Sequence, residues 1–117
     1  MGLAFSNTIV VEFTDNALTF TESGRQPISI AYRDHPEVFG HPRFLMVGGD
    51  QGAALVASSM RELMGGRLPL IAPKFVVTIN RSLQGGITEI DEKSVEEIFR
   101  KAGARKVEFN NSHIDKK

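Results

Sequence analysis

Between Pro73 and Phe109 the chain spells out three consecutive elements with little freedom to be anything else. Pro73-Lys-Phe-Val-Val-Thr-Ile-Asn80 carries a β-branched, apolar run from Phe75 to Ile79, the signature of a buried strand. After the Gln84-Gly85-Gly86 loop, Thr88 and Asp91 stand three apart, which approximates a capping box at a helix start. Val95, Ile98, Phe99 and Ala102 then fall at i, i+3, i+4 and i+7, one apolar helical stripe. Glu92, Lys93, Glu96, Glu97, Arg100 and Lys101 fill the opposite face, acids early and bases late, as the helix dipole favours. Gly103 stops the helix, and Lys106 to Phe109 reads as a last strand.

The first third is richer in strand signals. Thr8 to Phe13 is β-branched and mostly apolar, the composition of a central strand. Thr14-Asp15-Asn16 supplies a turn, with left-handed backbone at Asp or Asn as its expected geometry, and Ala17 to Thr21 pairs back. Ser23-Gly24-Arg25 turns again into Ile28 to Tyr32, a third strand entered through Pro27. Asp34 to Arg43 reads as a loop broken by Pro36, Gly40 and Pro42, and Phe44 to Val47 as a short apolar strand. Asp50 is the expected cap of a helix reaching about Met64, with Val56, Met60, Leu63 and Met64 at helical spacing. Gly65-Gly66 ends that helix. The order β-β-β-α-β-α-β predicts one five-stranded mixed sheet with helices as right-handed crossovers.

Composition narrows the functional classes. A single domain over 1–110 with an exposed tail over 111–117 is expected, because 117 residues suffice for one core. Equal counts of 14 basic and 14 acidic residues argue against a nucleic-acid partner, which draws a basic surplus. Lys116-Lys117 is too short to change that. With no cysteine there is neither a disulfide framework nor thiolate chemistry. No apolar run has membrane-spanning length and no secretory leader pattern precedes one, so a cytoplasmic protein without a membrane span is expected. Met1 to Ser6 does fit the loose myristoylation pattern.

Several of these segments carry a family resemblance. Gly86-Ile87-Thr88 and Ala102-Gly103-Ala104-Arg105 are its most specific parts. Phe5-Ser6-Asn7, Arg25 to Tyr32, Phe44 to Ala53 and the rest of Pro73 to Val107 extend it. Together they resemble the N-terminal portion of the MreB proteins, the bacterial actin-like family that binds nucleotide and forms filaments. The resemblance implies a ribonuclease H-like fold, that of actin subdomain IA. It also implies departures. Where the family has the phosphate loop Asp-Leu-Gly-Thr, this chain has Glu12-Phe13-Thr14-Asp15. Without glycine there, a phosphate cannot approach the backbone closely, and Asp15 adds a like charge. Asp91 stands where the family has a glutamate near its attacking water, and Asn111-Ser112-His113 replaces its Glu-Pro. The second phosphate loop and the adenosine pocket belong to family segments outside this sequence.

Three further chemistries fit fewer residues. A ribonuclease H-like nuclease needs several carboxylates around two metal ions, for which Glu12, Asp50 or Glu62 are available beside a strand end that offers Asn80. As plain structure, the same residues are a strand acid, a cap and a solvated face. His35, His41 and His113 lack strict ligand spacing and read as loop and tail histidines. Gly48-Gly49 and Gly85-Gly86 lack the P-loop lysine and hydroxyl, and read as turn glycines. The Asp34 to Arg43 loop is long enough for a small-molecule sensor, but carries no other sign of one.

The expectation is a degenerate, truncated MreB-like protein, non-enzymatic and without cofactor. It would act as a protein-interaction or self-association module in bacterial cell shape or the cytoskeleton. Its interaction edge would be Ile28, Ile30 and Tyr32, and its partner a second copy, giving a homodimer, or an actin-like filament protein. The alternative is an enzyme, a residual ATPase or metal-dependent nuclease, with Glu12, Asp50 and Asp91 as carboxylates and Thr14-Asp15 as what is left of a phosphate loop.

Overall fold

The hairpin at the start of the chain closes through one side chain. In the computed structural model, which describes residues 8–47, 49–66 and 72–111, strand β1 (Thr8–Phe13) turns into β2 (Ala17–Thr21). The Thr14 hydroxyl donates to the Ala17 carbonyl at 3.0 Å and accepts from the Ala17 and Asn16 amides at 3.1 and 3.3 Å. No described residue other than glycine has positive φ, so Asp15 and Asn16 do not supply the left-handed geometry expected of them. β3 (Ile28–Ala31) completes the antiparallel meander.

Tyr32, expected in this strand, lies instead in a 3-10 turn spanning Tyr32–Asp34. The expected loop that follows holds a further helix, α1 (Pro36–Phe39). Pro36 does not break it, because a proline in the first turn loses no intrahelical hydrogen bond and its fixed φ suits a helix start. α1 buries Val38 and Phe39. Phe44 to Val47 forms no strand; Leu45 and Met46 plug the core, and the Val47 amide donates back to the Val38 carbonyl at 2.8 Å.

α2 (Asp50–Leu63) and α3 (Glu89–Lys101) flank β4 (Lys74–Ile79) in sequence. Both helices end in the same device. After α3 the Ala104 and Gly103 amides donate to the Phe99 and Arg100 carbonyls, each at 3.0 Å; after α2 the Gly66 and Gly65 amides donate to Arg61 and Glu62 at 2.8 and 3.1 Å. This is the Schellman arrangement, and its left-handed residue is glycine in both cases, Gly103 at φ 116° and Gly65 at φ 72°. β5 (Lys106–Asn111) runs two residues beyond the expected Phe109, so Asn111 belongs to the sheet rather than to a tail. Residues 112–117, with His113 and the Lys116-Lys117 pair, lie outside the described residues, as do Met1 to Asn7 and Gly48.

The result is mixed α/β with a five-stranded mixed sheet in the order β3-β2-β1-β4-β5. β4 runs parallel to both β1 and β5, whereas β2 is antiparallel to β1 and β3. Burial alternates along β1, β2 and β4, so one face of the sheet carries the core. Phe99 of α3 sits at its centre, against Phe75 at 5.0 Å between ring centroids, Phe20 at 6.4 Å and Phe13 at 6.5 Å. On the opposite face Val10 stays exposed, and Thr19 meets Ser29 hydroxyl to hydroxyl at 3.2 Å.

Candidate functional site: the strand ends and the β3 edge

In an open sheet with parallel strands, ligands gather beyond the carboxyl ends of those strands. Of the three parallel strands β1, β4 and β5, the ends of β1 and β4 bring together Glu12, Thr14 and Asp15 with Asn80, Arg81 and Ser82. The Glu12 carboxylate accepts from the Asn80 side chain at 2.9 Å, and Asp15 accepts from the Ser82 amide at 2.8 Å. Thr14 is committed to its own turn, and its carbonyl accepts from the Tyr32 hydroxyl at 2.6 Å. Burial, more than the nearby Asp15 and Glu12 charges, pushes the Tyr32 hydroxyl far above its usual range, against the opposing pull of Arg81. At pH 7 it is therefore a neutral donor.

Arg81 was given no role by the sequence, because its partners are remote in the chain. Its guanidinium lies 4.2 Å from the centroid of the Tyr32 ring and donates to the Phe39 and Leu45 carbonyls at 2.9 and 2.8 Å. It thereby pins α1 and the segment after it to the end of β4.

The remaining candidate carboxylates sit on other elements. Asp91 is buried at the start of α3, where the capping box forms as expected. Its Oδ2 accepts from the Thr88 amide at 2.8 Å, and Arg43 approaches the carboxylate at 3.3 Å. Asp50 does not cap α2. Gly49 holds the N-cap position with no side-chain bond, and Asp50, the first helical residue, pairs across to Lys101 on α3. The hydrogen bond from Lys101 holds the exposed Asp50 carboxyl below its ordinary range. Glu12, Asp15, Asp50 and Asp91 therefore each have a protein partner, while Glu62 stands at the opposite end of α2 from Asp50. Among the described residues, no group of three or more His, Asp or Glu side chains is placed to hold a metal ion. His35 lies 3.7 Å from Glu37, while His41 accepts from the Arg43 amide at 3.1 Å and packs on Phe44.

The β3 edge has a different character. Tyr32 donates its amide to the Asn16 carbonyl at 3.1 Å, which fixes the alternation along the β2–β3 ladder. Ile30 and Ile28 face β2 with their amides and carbonyls, so those of Ser29 and Ala31 point away from the sheet. The Ala31 carbonyl, at the N-cap of the 3-10 turn, already accepts that turn's first internal bond, which leaves the Ser29 amide and carbonyl and the Ala31 amide facing outward. The Ile28 and Ile30 side chains turn into the core, with Ile30 8% exposed. Beside this edge a cleft of about 410 Å³ opens toward α2, between Ser29, Ala31 and Asp34 on one side and Leu55, Ser58 and Glu62 on the other.

Compared with known proteins, the chain matches no family model, no curated protein and no solved structure. No helix among the described residues is long and apolar enough to cross a membrane.

Proposed function

We propose that this chain is a ribonuclease H-like domain of the actin subdomain IA kind that works by self-association, pairing its β3 edge with that of a second copy. The observation that carries the reading is the uncharged β3 edge, with the outward Ser29 amide and carbonyl and the Ala31 amide beside an open cleft. Unpaired strand edges of this kind add strands from other chains. A five-stranded mixed sheet with helices is compatible with the fold the MreB resemblance implies. The engagement of Glu12, Thr14 and Asp15 within the chain supports a role that does not depend on nucleotide turnover. A place among the partners of an actin-like filament, in cell shape, follows from the same resemblance.

Light scattering across a concentration series tests this. A dimer forming in the micromolar range is expected, and a monomer at several hundred micromolar overturns the proposal. Thermal melts with ATP and Mg²⁺ address the enzymatic alternative. A tight site would stabilise by about 2.7 kcal/mol at a hundredfold excess over its dissociation constant; no shift is expected.

A further inference from the structure

We infer that the β3 edge and the cleft beside it form one site for an extended segment of another protein that carries a lysine, in competition with a second copy of this chain. This rests on the openness of the edge and goes beyond self-association. The edge alone offers little: the Ser29 amide and carbonyl and the Ala31 amide are all that β3 turns outward. Strand addition takes affinity from such bonds and specificity from pockets for alternate side chains. In an added strand every second side chain lies on the face that Ile28 and Ile30 occupy, because residues opposite one another in a ladder point the same way. That is the core face, on which α2 stands, and the cleft of about 410 Å³ lies between β3 and α2.

The lining decides which side chain enters. Ser58 and Ser59 both spend their hydroxyl protons on the Leu55 carbonyl, at 3.1 and 2.9 Å, so each has only lone pairs left to offer. The Asp34 and Glu62 carboxylates line the same cleft, and neither has a partner among the described residues. Among those residues no lysine or arginine lines it, and His35 there lies 3.7 Å from Glu37. The side-chain groups left to bind are thus mainly acceptors, beside apolar surface from Ile28 and Leu55. An ammonium brings three donors and no acceptor, on a four-carbon stem that covers apolar surface. A second copy does not bring one on its β3, which reads Ile-Ser-Ile-Ala. Self-association therefore uses the edge, whereas a lysine-bearing strand uses the edge and the cleft together.

The peptide acetyl-Thr-Val-Lys-Val-Thr-amide tests this against the same peptide with norleucine or glutamate in place of lysine. Binding is followed by NMR through the backbone amides of isotope-labelled protein. The lysine peptide should move the Ser29, Ala31, Ser58 and Glu62 signals and bind at least about tenfold more tightly than the norleucine peptide, with glutamate weakest. Glu62→Gln and Asp34→Asn, each checked by circular dichroism, should cut that preference at least about threefold, and the lysine peptide should raise the monomer fraction of wild type in light scattering. Equal binding of the lysine and norleucine peptides, shifts centred away from the cleft, or an unchanged preference in both carboxylate variants overturns the inference. The edge reading then still stands if wild type dimerises and Ala31→Pro does not. A wild-type monomer that binds the lysine peptide at the cleft overturns self-association and upholds the inference.

Discussion

The two edges of the sheet are built to opposite specifications. β5 carries Glu108 between Lys74 at 3.4 Å and Lys106 at 3.1 Å, and its pairing with β4 shifts register between Val77 and Thr78. Charges and irregularities of this kind discourage a further strand from adding. β3 offers Ile-Ser-Ile-Ala, with no charge and an even ladder. Among the described residues, its protection is its brevity. The difference teaches that two edges of one sheet with one core can differ in how open each is to a further strand.

That contrast can be broken or sharpened experimentally. The largest effect is expected from Phe99→Ala, which removes the ring that packs on β1, β2 and β4. Chemical denaturation should show a loss of about 3–5 kcal/mol, with both edges unravelling together. If only one edge loses hydrogen-exchange protection, the shared core is not what supports them.

Ala31→Pro comes next. Ala31 has φ −73°, already close to proline, and its amide faces outward, so no bond within the chain is lost. Stability should hold or rise by up to about 1 kcal/mol, while dimerisation weakens at least about a hundredfold in light scattering. A variant that still dimerises places the contact elsewhere. Asp91→Ala should follow, at a cost of about 1–3 kcal/mol read from thermal melts, because it strips the α3 cap and leaves Arg43 without its buried partner.

The smallest effect separates the edges by pH. Hydrogen bonds from Lys106 and then Lys74 hold the Glu108 carboxyl below the usual glutamate value of 4.5. Its folded pKa is depressed, so its contribution is present above that value and is lost as pH falls through the folded pKa. Hydrogen exchange below pH 4.5 should therefore loosen β5 slightly before β3, and Glu108→Gln should abolish that order.

Much of the architecture was legible because local chemistry and tertiary structure agree. The Thr88–Asp91 box, the Val95–Ile98–Phe99 stripe and the Gly65 and Gly103 stops each act within one turn of helix, where spacing alone is informative. The meander order likewise placed β3 at an edge. Legibility failed where a residue's role depends on its context. Pro36 reads as a breaker unless it is known to open α1, and Asp50 reads as a cap until Lys101 is seen across the helix pair. Arg81 gave no signal at all, because its partners Phe39 and Leu45 lie 42 and 36 residues away. For the site, the sequence could place Glu12 and Asp15 by the end of β1 and Asp91 by the start of α3, but not the bonds that engage them and Asp50 within the chain.

One-sided coverage of the sheet has a further effect. Antiparallel union at β3, about an axis perpendicular to the strands' common plane, keeps the helices of both copies on the same side. If two copies join there as proposed, the reverse side, where Val10, Thr19 and Ser29 lie, forms one face twice as wide as either copy presents alone.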